Sequence, residues 1–381
     1  MTRALTTAMS YWNHRFVPAA TVEFFAEQIA RSGVVDYFHT SDVLSNCWPR
    51  HAWTEQNTPA AQLLPDMNSV YDPWVVTGLA LSAQPSLGAW LGVTAFRPGP
   101  AELIRTMMTL ASIGNGPVVC HIGAGEAYNV VPFGYRRSEG LGRLEEQLQL
   151  MKLLWERDTP FDFDGRYWSY KGAFAGSARE ARPKFYAMGA GPRIMDIAAR
   201  LADGWTTYVP GGFSTPEAYA AAVKEMRQRL ESYGRDPDGF GFGLCFGVMM
   251  HEDPEAIDRA LDNALVRWFA STVGRMDQSK WRAEGLEPVY PDEWNYALHM
   301  LPEAVSESEF KTVIERFDRR YARRSFTCGT TKEVAEVARA YVDAGATNVQ
   351  ASHLIGLSQP IEETAATMER TLELYRILKS G

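Results

Sequence analysis

Apolar and polar positions along the chain follow two alternating periods. Short, nearly continuous apolar runs recur at Val34–Phe38, Ala89–Ala95, Val118–Ile122, Lys184–Met188 and Phe240–Met250. They are too apolar to leave one face in water, which is the pattern of parallel strands covered on both sides. Between them, apolar residues recur at helical spacing over Ala20–Arg31, Tyr71–Ala83, Ala101–Ser112, Leu144–Trp155, Arg193–Ala202, Pro216–Tyr233, Pro254–Ser271, Thr330–Ala344 and Glu362–Lys379. Strands centred near residues 5, 35, 91, 119, 186, 207, 244 and 349 make about eight. Eight strands alternating with helices predict an α/β chain folded as one (β/α)8 TIM barrel spanning residues 1–381. Three stretches break the rhythm. Phe161–Phe174 turns at Asp164-Gly165 and predicts a hairpin or extended arm. Val43–Met67 is a long, proline-punctuated loop, a type usually kept for function. The charged, tryptophan-bearing segment at about 272–326 predicts an inserted helical lid near the barrel mouth.

Catalytic groups of such barrels stand at the carboxyl ends of strands. There the chain places Gly123-Ala124-Gly125-Glu126, with Asn129 close behind, and earlier Ser41-Asp42. Glu126 is the first candidate for a catalytic acid, although a carboxylate in a turn also serves simply to cap the next helix. Asp42 is a second candidate for acid–base work or for orienting another group, with capping of its loop as the alternative. His39 lies three residues before Asp42, so strand alternation puts the two on opposite faces and disfavours a dyad. His121 reads as a core residue. Gly189-Ala190-Gly191-Pro192-Arg193 leads from a strand into a helix, where unsatisfied backbone N–H groups accept an anion; an ordinary strand-to-helix turn has the same composition.

Composition removes several function classes. Lys and Arg total 38 against 46 Asp and Glu, a net charge of −8, and no basic run suggests nucleic acid. The four cysteines form no Cys-x-x-Cys pair, and the histidines show no ligand spacing, so no metal site is expected. Without an apolar leader or membrane-length run, the expectation is a cytoplasmic protein acting on a small molecule. No serine elbow or nucleophilic cysteine is evident. Most of the 11 tryptophans and 16 tyrosines suit core packing, and a few would suffice to wall a pocket for a flat ring.

In order, Ser41-Asp42, Tyr71-Asp72-Pro73-Trp74, Leu91-Gly92-Val93-Thr94, Gly123-Ala124-Gly125-Glu126 with Asn129, and Arg143-Leu144-Glu145-Glu146 form a series. Gly191-Pro192-Arg193, Ala202-Asp203-Gly204-Trp205 and Gly329-Thr330-Thr331-Lys332-Glu333-Val334 continue it. The series resembles the luciferase-like superfamily, in particular its branch using the deazaflavin coenzyme F420, and most of all the phthiodiolone ketoreductase type with its insertion near Trp281. The resemblance implies the barrel fold and a ring cofactor in its mouth (F420, with FMN the alternative). It implies cofactor contacts at Gly92, Val93, Thr94, Gly125, Asn129, Gly189, Ala190, Gly191, Pro192 and Arg193, and a non-prolyl cis peptide near Gly92-Val93. Substrate-pocket candidates are Trp12, His39, Trp48 and Trp281, and a homodimer is expected. The function implied is hydride transfer between F420 and a carbonyl or secondary alcohol carbon, with Glu126 as proton donor or acceptor. An FMN-dependent monooxygenase is the alternative, and a sensor barrel that has lost catalysis is a third reading. One departure stands out. Many members of the family it resembles carry histidine directly after the aspartate, and this chain has Val43. Either Glu126 acts alone, or His14, His39 or His51 supplies the imidazole.

Overall fold

In the computed structural model, which describes residues 4–179 and 181–380, eight parallel strands close into a ring. They are β1 (Thr6–Ser10), β2 (Tyr37–Ser41), β3 (Gly88–Thr94), β4 (Val118–Gly123), β7 (Lys184–Met188), β8 (Gly204–Val209), β9 (Gly241–Met250) and β11 (Asn348–His353). β5 (Phe161–Asp164) and β6 (Ser169–Ala173) form the antiparallel hairpin outside the ring, and β10 (Thr327–Gly329) adds three residues beside the end of β9. The ring order is β1-β2-β3-β4-β7-β8-β9-β11 and back to β1. These are the eight strands read from the sequence.

Period-two alternation decides which residues see the ligand side. Leu91, Val93, Cys120 and Ile122 point outward into the main core, against helices such as Ala20–Arg31, which buries Val22, Ala26 and Ile29. Ala8, Tyr37, Trp90, Val119 and Tyr186 form a separate buried cluster that plugs the barrel's amino-terminal end. Above it, Trp90 stacks on His121 at 4.1 Å, and His121 Nδ1 lies 2.7 Å from Thr206 Oγ1. This closed floor leaves the carboxyl ends of the strands as the open end of the pocket.

A second apolar core lies beside that end. It joins the loop after β2 (Cys47, Trp48, Trp53), the helices Pro254–Asp262 and Ala264–Val273, and short helices of the 274–326 segment. Indole donors tie its parts together: Trp48 Nε1 to Leu265 O at 3.1 Å and Trp268 Nε1 to Cys47 O at 2.7 Å. The helix expected over Pro254–Ser271 is two helices. Asn263 ends the first, and its side chain accepts from the N–H groups of Leu265 and Val266 to cap the second. No helix among the described residues is long and apolar enough to cross a membrane.

Candidate active site

Three loops meet over the barrel mouth, and Asn129 fastens them. Its Oδ1 accepts from Leu44 N and from Arg97 Nη2, both at 2.8 Å, and its Nδ2 donates to Asp42 O at 3.0 Å. Its backbone carbonyl accepts from Arg97 Nη1 at 2.8 Å. Expected from the sequence to touch a cofactor, Asn129 instead spends its side-chain bonds on the loops after β2 and β3. Arg97 completes this clasp, its Nε 3.2 Å from Asp42 Oδ2 with both side chains largely buried. Burial raises the Asp42 carboxyl above its ordinary pKa, with Arg97 opposing and Asp72 adding to the rise.

Glu126 stands differently. It follows β4 and Gly125, whose φ of +84° only glycine adopts comfortably and where a Cβ would crowd Phe96 at 3.0 Å. The Glu126 side chain is half-buried and has no hydrogen bond to another residue's side chain among the described residues. Burial raises its pKa, while the positive charges of Arg137 and then Arg97 pull it back. Arg137 Nε donates to Ala297 O at 3.0 Å, which ties the loop after β4 to the helix Tyr296–His299 of the 274–326 segment. Tyr296 and Tyr128 are both half-buried and feel the Glu126 charge, and burial holds both phenols protonated far above neutrality. Cys47 lies within the same electrostatic neighbourhood, its thiol pushed up to about 12, chiefly by burial. It is no nucleophile at neutral pH.

Inside the barrel, polar side chains link adjacent strands. His39 Nδ1 is 2.7 Å from Ser10 Oγ and its Nε2 is 3.4 Å from Ser41 Oγ. Gln350 Nε2 donates to Ser10 Oγ at 2.9 Å, and Ser352 Oγ donates to Gln350 Oε1 at 3.2 Å. Burial lowers the His39 pKa to about 4, so its ring is neutral near pH 7. Asp42 faces Arg97, and no His39–Asp42 dyad forms. Of the three alternative histidines, only His39 lies on the barrel's inner face. His51 is exposed and bonds Val305 O at 3.0 Å, and His14 is buried in the loop after β1.

The remaining sequence candidates divide sharply. Gly92 and Thr94 share the inner face of β3, and a Cβ at Gly92 would stand 2.8 Å from Ser41 Oγ. Val93 belongs to the outer core, because alternation turns it toward the helices. Gly92-Val93 is a trans peptide; the cis bonds among the described residues are Arg97-Pro98 and Val209-Pro210. Trp281 is fully buried between Phe317 and Tyr321 with Arg275 over its ring, so it packs its own segment and offers a ligand no surface. Trp48, stacked on Phe269, is likewise a core residue. Trp12 is 42% exposed beyond the end of β1.

The loop Gly189–Arg193 is held open. Gly189 N donates to Thr206 O at 2.9 Å, and Trp205 Nε1 donates to Gly189 O at 2.7 Å, which gives the Asp203-Gly204-Trp205 sequence a structural reason. Gly191 caps the helix Pro192–Leu201, and nothing lies within 4 Å of where its Cβ would stand. At the barrel end, the buried Thr94 Oγ1 and Tyr208 Oη lack hydrogen-bond partners among the described residues. A Cβ at Gly247 would lie 2.2 Å from that Tyr208 oxygen, so the tyrosine depends on glycine opposite. A flat ring offering polar atoms, joined to an anion at Gly189–Arg193, fits this combination. Sequence reading missed Arg97, Arg137, Tyr208 and Tyr296. Strand alternation from Thr206 marks Tyr208 as inward; the other three depend on contacts between distant loops.

The family model for luciferase-like monooxygenases matches residues 47–348. The chain belongs to the luciferase-like monooxygenase family. The chain is 27% identical over 320 residues to a phthiodiolone/phenolphthiodiolone dimycocerosates ketoreductase of Mycobacterium sp. (strain JLS), covering 81% of each. It is 29% identical over 183 residues to an F420-dependent glucose-6-phosphate dehydrogenase of Mycolicibacterium gilvum (strain PYR-GCK), covering 46% of this chain and 52% of that one. Among solved structures, an F420-dependent secondary alcohol dehydrogenase in complex with an F420-acetone adduct superimposes with a TM-score of 0.72 at 19% identity, over 99% of both chains.

Proposed function

We propose that this protein is an F420-dependent oxidoreductase that reduces a ketone, or oxidises the corresponding secondary alcohol. The mycobacterial ketoreductase and the F420-dependent dehydrogenase among its relatives support this reading. When bound, F420 supplies the hydride chemistry; the chain supplies position, a dry pocket and the proton. Gly92, Thr94 and Tyr208 would border the ring, and the backbone of Gly189–Arg193 would take its phosphate. Hydride addition to a carbonyl carbon leaves an oxygen that must receive a proton. The observation that carries the assignment is Glu126: a half-buried carboxyl above the mouth, raised by burial and, among the described residues, without a side-chain hydrogen bond or ion pair, while Asp42 is held by Arg97. Tyr296 from the 274–326 segment, whose protonated phenol lies in the electrostatic neighbourhood of Glu126, would donate a hydrogen bond to the same oxygen. That segment thereby acts as a lid whose buried tryptophan, Trp281, gives it rigidity rather than a pocket wall.

The phosphate-bearing ring is tested by titrating the purified protein with F420 and, in parallel, FMN, following tryptophan fluorescence. Tight F420 binding with weak FMN binding is expected, followed by oxidation of reduced F420 on addition of ketones. Tight FMN binding with oxygen consumption would replace this reading with a monooxygenase. We also assign a homodimer, supported by Phe24, Val75, Leu79 and Ile113, exposed at 63%, 63%, 37% and 39% on three consecutive outer helices. Light scattering at micromolar concentration checks it, and a monomer would remove it.

A further inference from the structure

A cavity of about 580 Å³ opens on the outer rim of the barrel, next to the Gly189–Arg193 loop but separate from the Glu126 cluster. Three arginines line it: Arg136 from the loop after β4, Arg166 from the turn of the β5–β6 hairpin, and Arg193 from the first turn of the helix after β7. Three glutamates line it as well, and each is already engaged. Glu139 pairs with Arg143 at 2.9 Å and Glu145 with Arg200 at 2.8 Å. Glu146 accepts from the backbone N–H groups of Arg166, Tyr167 and Trp168 at 2.7, 2.9 and 3.3 Å, which fixes the hairpin turn and places Arg166. Among the described residues, the guanidiniums of Arg136, Arg166 and Arg193 make no ion pair; Arg166 rests on the Tyr167 ring. Arg143 and Arg200 offset Glu139, Glu145 and Asp196, the last 2.9 Å from Arg200, which leaves the guanidiniums of Arg136, Arg166 and Arg193 beside the single carboxylate of Glu146 in a chain whose net charge is −8. Such a local excess of positive charge attracts an anion, and the guanidinium fork matches carboxylate and phosphate oxygens.

We infer that this cavity is a binding site for the anionic tail of the cofactor, with tail carboxylates on Arg136 and Arg166 continuing from a phosphodiester beside Arg193. The inference rests on the F420 reading. F420 carries a phosphodiester followed by a chain of carboxylates, whereas FMN ends at its phosphate and would leave Arg136 and Arg166 idle. The cavity thus gives the protein a means of choosing between two flat-ring cofactors outside the ring pocket itself. The hairpin that interrupts the strand–helix alternation is then an arm that brings Arg166 to the tail.

The test is a fluorescence titration of the full chain with two probes. One is F420 with its oligoglutamate tail, and the other is the deazaflavin-ribityl precursor that lacks phosphate and tail. Wild-type protein should bind F420 more tightly than the precursor, with an advantage that shrinks as salt rises. The double variant Arg136→Ala/Arg166→Ala should lose about tenfold in F420 affinity and bind the precursor as wild type does. A variant that binds F420 as tightly as wild type overturns the tail site while leaving the cofactor reading intact. A variant that loses both probes equally also overturns it, because the loss would then be structural. A wild-type protein that binds neither deazaflavin sinks the cofactor reading and this inference with it.

Discussion

The ends of β2 and β4 each present a carboxylate to the barrel mouth, and the two are held in opposite ways. After β2, Asp42 is clamped: Arg97 stands 3.2 Å from its carboxylate, Asn129 binds its carbonyl, and its own N–H donates to Gly92 O at 2.7 Å. After β4, Glu126 stands on the far side of a left-handed glycine, and among the described residues its carboxyl forms no ion pair and no hydrogen bond to another side chain, although the charges of Arg137 and Arg97 reach it. Both pKa values are raised by burial, so desolvation does not separate the roles. Partners do. A carboxylate used to brace loops needs a counter-charge in direct contact, and one used to pass a proton is better served by charges held at a distance.

The largest effect should come from removing the free group. Glu126→Gln keeps shape and burial but removes the proton, and should cut turnover at least about a hundredfold with F420 affinity unchanged. Single-turnover oxidation of reduced F420 measures it, and an unchanged rate would erase the distinction between the two carboxylates. Next is the clamp. Asn129→Ala removes three side-chain hydrogen bonds and should lower stability by about 3 kcal/mol in urea denaturation. Its activity should fall less than that of Glu126→Gln.

A subtler variant sharpens the comparison through pH. The raised pKa keeps Glu126 in its acid form to higher pH, so ketone reduction should decline, and alcohol oxidation rise, as pH climbs through that pKa. Arg137 favours the carboxylate; Arg137→Met should therefore move the falling limb of the reduction profile to higher pH. A profile that stays in place would show that another group controls it. The smallest change is expected from Tyr296→Phe, which deletes the proposed hydrogen-bond donor to the substrate oxygen and should cost roughly fivefold in kcat/KM for a ketone, with cofactor affinity unchanged.

The barrel was legible because its signals are local and repeated. Apolar runs, helical spacing and the Asp164-Gly165 turn each report on their own neighbourhood, and eight strands follow by counting. Asn263 shows where that fails: apolar spacing runs through it unbroken, yet its side chain caps the following helix. Glu126 was legible as a residue past a strand end, but its freedom was not, since that depends on Arg97 and Asn129 serving Asp42 instead. Trp48 and Trp281 failed for a related reason. An aromatic residue in a polar loop has the same sequence signature whether it walls a pocket or fills a second core, and here both lie inside that core.

The most direct test of the free, proton-bearing Glu126 is an isotope-edited infrared difference spectrum, wild type minus Glu126→Gln, recorded across pH with F420 bound. A protonated-carboxyl band that persists above the ordinary glutamate value of 4.5 and vanishes in the variant is the predicted result. A carboxylate band already complete at or below that value would contradict it, and would leave the proton to another group at the mouth.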